Sequence, residues 1–429
     1  MEISNNYSTA KVWNTSNKNV SKSSKKNKWK LTDSLKEKIV DLAKKDAQDN
    51  VYMGNAFMNL RKTEVSKVAP NRAALIGKFS QSMNSGNMSA MKEVEEADKK
   101  WLCMLFGIKE VNPGFRVGGP AVCGGTDEKW IQAFMEYCHE NHIPVDFVTR
   151  HHYTIDPPEC IGHYAYSELM KAEDGFANLK TTRDIIDSFP EYKGLQIHIT
   201  EFNSSYTPQG VIHDTNLNAA FIAQQLSRLG DVNESYSYWT FGDVFEELGV
   251  PFTPFHGGFG LVANGCITKP TFWTFAFYKK LEESEANCVY KDDNIVVLKR
   301  ANGDYLGVAW NIARKSTEQG KEKMLLEFTF PAEQEEYCFL TKTVDEETCN
   351  PLKVWHDMGE PANLSEEQTK LIRESSRPFV KTERKKQEDG NICVELPVNE
   401  NGVVYFELNA GKVNPDRGYD YDRVVSSGR

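Results

Sequence analysis

Between Gly107 and Glu285 the sequence alternates short β-type runs with segments of helical periodicity, and no other feature constrains the fold as strongly. Residues 116–119, 147–149, 196–200 and 235–240 read as strands, and residues 127–141, 179–188 and 216–229 read as the helices between them. A parallel strand connection needs a crossover long enough to hold a helix, so this alternation implies β-α units on a parallel sheet. Beyond about Glu285 the helical pattern largely stops. Period-2 runs take over at 295–298, 305–310, 325–330, 392–396 and 403–408, as expected of an antiparallel β-sandwich.

The N-terminal part has a different texture. Residues 1–31 are dominated by Asn, Ser and Lys and are too polar to bury a core, so a disordered polar tail is expected. Residues 32–95 form a divergent helical segment: Leu35, Ile39, Leu42 and Ala43 fall at helical spacing behind a Thr32/Asp33 cap signal. No convincing β run precedes Gly107. The expected organisation is therefore a tail (1–31), a helical segment (32–95), an α/β domain (96–284) and a β-sandwich (285–429).

At 429 residues the chain is long enough for two or three domains. Its net charge of −10 argues against a partner bound through phosphate neutralisation, so no nucleic acid is expected. The start carries no apolar leader, and no run reaches the roughly 20 apolar residues of a membrane span, so neither secretion nor a membrane is expected. Nine cysteines occur without a C-x-x-C pair or zinc-like His spacing, which leads to reduced thiols, a cytoplasmic location and no metal.

Three segments carry chemistry. HITEFN (198–203) ends an apolar β run on Glu201, and polar residues at the C-terminal ends of barrel strands face the active-site mouth. SYSYWTFGD (235–243) ends the next run with Trp239, an indole suited to stacking under a sugar ring, followed by Asp243, Glu246 and Glu247. FHGGFG (255–260) supplies a glycine-rich loop that would bring backbone and His256 close to a ligand. No G-x-x-x-x-G-K pattern accompanies it, so sugar contact is the better reading than phosphate binding.

Together with VGGPAVCGG (117–125), PVDFVTRH (144–151), HITEFNSSY (198–206), HDTNLNAA (213–220), SYWTFGDVFEE (237–247), FHGGFGL (255–261) and KPTFWTF (269–275), these segments make the chain resemble the β-xylosidases of glycoside hydrolase family 39. The resemblance runs in order from about Glu96 into the C-terminal part. It implies a (β/α)8 TIM barrel followed by a β-sandwich, with the four β runs above as barrel strands five to eight. It also implies Glu201 as the nucleophile, xylosides or xylo-oligosaccharides as substrates and no cofactor. Sugar contacts are implied for His151, Tyr206, Trp239, His256 and, of the adjacent pair, one of Glu246 and Glu247.

The chain departs from the family at the acid/base. The Asn-Glu-Pro motif that should precede Val117 is not found, and Glu93, Glu95 and Glu96 lie in a helical pattern. Gly359-Glu360-Pro361 falls in the sandwich region. Barrel strands one to four are therefore expected to be missing and the activity impaired. An open sheet edge would then favour a homo-oligomer or a partner chain supplying those strands. The alternatives are a non-catalytic carbohydrate-binding remnant and one half of a split enzyme.

Overall fold

The computed structural model describes residues 108–109, 112–123, 127–244, 252–313, 323–411 and 420–426. The expected tail and helical segment lie outside the described residues, as do Glu246 and Glu247. The first described elements are β1 (Gly118–Val122), α1 (Asp127–Glu140), β2 (Phe147–Tyr153), a hairpin of β3 (Glu159–Ile161) and β4 (Tyr164–Tyr166), and α2 (Ala172–Asp187). Then follow β5 (Gln196–Asn203), α3 (Asn216–Ser227), β6 (Ser235–Tyr238), a small hairpin of β7 (Val262–Ala263) and β8 (Ile267–Thr268), and α4 (Pro270–Glu283). One sheet has the order β1-β2-β5-β6, and β1 runs parallel to β2.

The chain divides into two compact units, one containing His152–Leu179 and Ile199–Arg429, the other containing Lys180–His198 and the described residues up to His151. In the second unit, α1 starts on Asp127 and Glu128, which suit the positive end of the helix dipole, and buries Ile131, Met135 and Cys138 on one face. Gly118 is required where β1 meets β2, because a Cβ there would lie 2.2 Å from the Phe147 carbonyl oxygen. The Arg150 guanidinium donates to Asp127 Oδ2 (2.7 Å) and Thr182 Oγ1 (2.9 Å). Burial pushes the Asp127 carboxyl up to about 6, with Arg150 opposing that shift.

The C-terminal part of the first unit is rich in sheet. It contains β9 (Asn287–Lys291), β10 (Ile295–Lys299), β11 (Tyr305–Trp310), β12 (Lys323–Pro331), β13 (Glu336–Val344), α5 (Pro351–Asp357), α6 (Glu366–Ser375), β14 (Phe379–Lys386), β15 (Asn391–Asn399), β16 (Val403–Ala410) and α7 (Tyr421–Ser426). Six strands form a sheet of order β14-β13-β16-β11-β10-β9, and β12 pairs with β15 in a separate ribbon. One core cluster joins Ile295, Val297, Phe339 and Phe406 of the sheet to Met324, Phe330, Val394 and Leu396 of the ribbon. A second cluster joins the alternate residues Val296, Leu298, Leu306, Trp310 and Tyr405 to Ala219, Ala220 and Ala223 of α3 and to Phe277 and Leu281 of α4. The central strands are thus covered on both faces, which is why β10 and β11 read as continuous apolar runs.

The structure differs from the sequence reading in several places. The helical pattern does not end at Glu285: α5 starts on an Asn350 cap, and α6 starts on a full capping box between Ser365 and Gln368. Strand β2 also extends to Tyr153, beyond the expected end at Thr149. Among the described residues, no helix is long and apolar enough to cross a membrane.

The second cluster spans the expected boundary near Glu285, with α3 and α4 upstream of it and β10, β11 and β16 downstream. A proteolytic nick there should leave the two pieces associated on native size-exclusion chromatography, whereas early separation into two stable fragments would contradict this packing.

Candidate active site

Glu201 lies in β5, near its C-terminal end, half-buried between exposed Thr200 and fully buried Phe202. The hydroxyl of Tyr153, the last residue of β2, donates to Glu201 Oε2 at 3.0 Å. That bond fixes the rotation of the carboxylate, and the Tyr153 ring in turn meets Tyr206 edge-on, with centroids 6.3 Å apart. Tyr206 is 49% exposed. Glu201, Tyr153 and Tyr206 thus form one contact chain, in which only Tyr153 escaped notice in the sequence.

Trp239 follows β6 directly. Its backbone N–H donates to the Phe202 carbonyl (3.0 Å), and the buried Asn203 side chain donates to the Trp239 carbonyl (2.8 Å). The peptide bond between Trp239 and Thr240 is cis. Asn203 Oδ1 accepts from the Ser204 N–H and from Asn218 Nδ2, whose amide also reaches Tyr238 and Thr271. Asn203 therefore ties the chain beyond Glu201 to the backbone at Trp239. His151, half-buried in β2, belongs to the other compact unit.

The glycine-rich loop makes close approaches within the protein itself. A Cβ on Gly258 would lie 2.4 Å from Asp243 Oδ1, and one on Gly257, whose φ is +73°, would lie 2.5 Å from the Gln209 backbone. The close approach these glycines permit is thus to the protein's own buried groups. His256 is only 6% exposed, and its Nδ1–H donates to the Thr253 carbonyl at 3.0 Å.

Beneath the loop lies a buried ionic hub. Lys269 is fully buried, with its Nζ 2.6 Å from Asp214 Oδ1, 2.8 Å from Asp243 Oδ2 and 2.7 Å from the Gly258 carbonyl it donates to. Burial works against the Lys269 charge, but the two carboxylates outweigh it and hold the ammonium above its usual pKa. The remaining carboxylate oxygens receive backbone donors: Asp214 Oδ2 from the Gly257 N–H and Asp243 Oδ1 from the Gly260 N–H, both at 2.7 Å. His213 lies between the carbonyls of Gly257 (2.9 Å) and Ser205 (3.1 Å), and its burial holds its pKa below the usual histidine range. Asp243, grouped in the sequence with potential ligand-facing acids, is consequently a partner of Lys269.

This hub was not legible as a unit, although its members lie in three of the quoted motifs. One local signal points to it. Lys269 occupies the N-cap of α4, where a cation opposes the helix dipole, so its side chain requires acidic partners elsewhere. Among the described residues, no group of three or more His, Cys, Asp or Glu could hold a metal ion.

Comparison with known proteins gives a consistent picture. The family model described as glycosyl hydrolases family 39 matches residues 89–393. The chain is 40% identical over 304 residues to a β-xylosidase of Geobacillus stearothermophilus, covering 70% of this chain and 59% of that protein. It is 30% identical over 325 residues to a β-xylosidase of Caldicellulosiruptor saccharolyticus, covering 74% and 64% respectively. The chain thus spans about three fifths of the length of these curated relatives. Among solved structures it resembles the GH39 enzyme of Xanthomonas axonopodis pv. citri, with a TM-score of 0.65, 25% identity and coverage of 74% of this chain and 65% of that one. The fold also matches a monomeric β-xylosidase of Caulobacter crescentus, with a TM-score of 0.63, 24% identity and coverage of 76% and 66%.

Proposed function

Because this chain belongs to glycosyl hydrolase family 39, we propose that it is a retaining glycosidase of the β-xylosidase type, acting on xylosides or xylo-oligosaccharides, with Glu201 as its nucleophile. The observation that carries this reading is the carboxylate of Glu201 near the end of β5, held by the Tyr153 hydroxyl. Beside it, the backbone of Trp239 is bonded to the residue after Glu201. In this reading β1, β2, β5 and β6 are strands five to eight of a (β/α)8 barrel, and the C-terminal sheets are the β-sandwich that follows it.

In the retaining mechanism one carboxylate attacks the anomeric carbon to give a covalent glycosyl-enzyme, and a second, about 5–5.5 Å away, protonates the leaving oxygen and later activates water. Glu201 performs the first task. Trp239 stacks under the sugar, and Tyr206, His256, His151 and one of Glu246 and Glu247 contact its hydroxyls. The reaction needs no cofactor, and a cytoplasmic location completes the reading.

Tyr153 is the positioning residue for the nucleophile. A hydrogen bond to a charged group contributes about 1.5–3 kcal/mol. Tyr153→Phe should therefore slow glycosylation of Glu201 by about 10- to 100-fold, measured as single-turnover release of dinitrophenol from an aryl xyloside. An unchanged rate would remove Tyr153 from the mechanism.

One observation favours a second element in this reading. The chain contains no Asn-Glu-Pro sequence, so in this reading the acid/base comes from a partner chain bearing strands one to four, as in one half of a split enzyme. A chain that binds xylose, followed by tryptophan fluorescence, yet never forms a covalent intermediate would instead be a carbohydrate-binding remnant. Aryl xyloside turnover, compared with Glu201→Gln, separates these readings.

A further inference from the structure

We propose that the C-terminal β-sandwich carries a second saccharide-binding site, in a cleft of about 230 Å³ between the β12–β15 ribbon and the β13–β14 edge of the six-stranded sheet. Phe339, Thr341 and Thr343 alternate along one face of β13 and stand opposite Glu383, Lys381 and Phe379 of β14. Phe339 is the last of these to join the apolar core. Past it the inner face of the sheet turns to threonine, where a strand serving only to fill the sandwich would continue in aliphatic residues.

The floor of the cleft is built. Asp345 is 1% exposed and accepts from Asn399 Nδ2 (2.8 Å), from Thr348 Oγ1 (2.8 Å) and from the backbone N–H groups of Glu347 and Thr348. Its charge is satisfied internally, and its role is to fix the Asn399 amide and the Thr348 hydroxyl against the cleft. The side chains of Thr341, Thr343, Lys323 and Glu395 line the same space and have no hydrogen-bond or ion-pair partner among the described residues. Phe379, 55% exposed, offers an aromatic face at one wall.

These features select the ligand chemistry. Lys323 and Lys381 are balanced by Glu383 and Glu395, which suits a neutral ligand rather than an anion or a cation. Hydroxyl and amide groups on the floor and an aromatic wall match the polar edge and apolar face of a sugar ring. A volume below the roughly 300–1,000 Å³ of drug-sized pockets suits one ring, with its neighbours extending into solvent. The sandwich would thereby hold the polymer whose end the barrel site cleaves. The choice of a xylose chain as occupant rests on the proposed function, whereas the cleft itself does not.

Hydrogen–deuterium exchange of the full Glu201→Gln chain in millimolar xylotriose tests this. Peptides covering residues 379–386 and 395–399 should gain protection. Phe379→Ala should weaken that protection by about tenfold in apparent affinity, while protection of the peptide carrying residue 201 stays unchanged. Absence of protection at 379–386, or protection insensitive to Phe379→Ala, would overturn the proposal. Protection confined to the peptide around residue 201 would do the same and leave the proposed function standing. Protection confined to the cleft would sustain the second site and count against the barrel site.

Discussion

Lys269→Ala is expected to lower the unfolding free energy by about 3–5 kcal/mol, the usual consequence of removing one partner from a buried ion pair. The side chain is 0% exposed and touches Asp214 and Asp243, whose side chains are 4% and 0% exposed. Without the ammonium, two carboxylates face each other's charge in a poorly solvated space, and the Gly258 carbonyl loses its donor.

A triple variant, Lys269→Met with Asp214→Asn and Asp243→Asn, removes all three charges together and should recover most of the loss. Urea unfolding of both variants measures the loss and its recovery. A loss below about 1 kcal/mol for Lys269→Ala, in the range of an exposed ion pair, would mean that the hub does not hold the loop as described. The consequence for function is local: Gly257, Gly258 and Gly260 all bond into the hub, so the loop that carries His256 should loosen in the variant.

The parts of the fold that were legible are those in which local pattern and tertiary environment agree. Strands β10 and β11 are buried on both faces, and their continuous apolar runs said so. Strand β5 was legible because an apolar run ends on a carboxylate in a distinctive motif. Strand β14, FVKTERKK, was not: at the sheet edge most of its side chains are exposed or line the cleft, so it carries neither an apolar run nor an alternation. The end of β2 was missed for a related reason. His151, His152 and Tyr153 are polar and resemble a loop, yet they continue the strand, with His152 buried against Gln225 and Tyr153 turned to Glu201.

The candidate site divides in the same way. Glu201 and Trp239 were singled out by their residue types at the ends of β runs, and Tyr206 by the family resemblance. Tyr153 and the hub were not, because their meaning lies in contacts between residues 48 or more positions apart for the tyrosine and between three separate motifs for the lysine. The glycines of FHGGFG were legible as a site of close approach, but the sequence could not say to what. The approach is to Asp243 and to the Gln209–Gly210 backbone.

The largest catalytic effect is expected at Glu201, and trapping of its covalent intermediate tests the account most directly. A dinitrophenyl xyloside carries a leaving group that needs no protonation, so Glu201 can attack it without an acid partner. A chain that lacks its own acid/base should then react slowly, fail to activate water for the second step and accumulate a xylosyl-enzyme. After incubation with this substrate, mass spectrometry of peptides should show a pentosyl adduct on the peptide that contains Glu201, and Glu201→Gln should abolish it. An intact chain that forms no adduct and releases no dinitrophenol would contradict the proposal of Glu201 as nucleophile, and efficient hydrolysis of xylobiose by the chain alone would contradict the proposal that its acid/base comes from a partner chain.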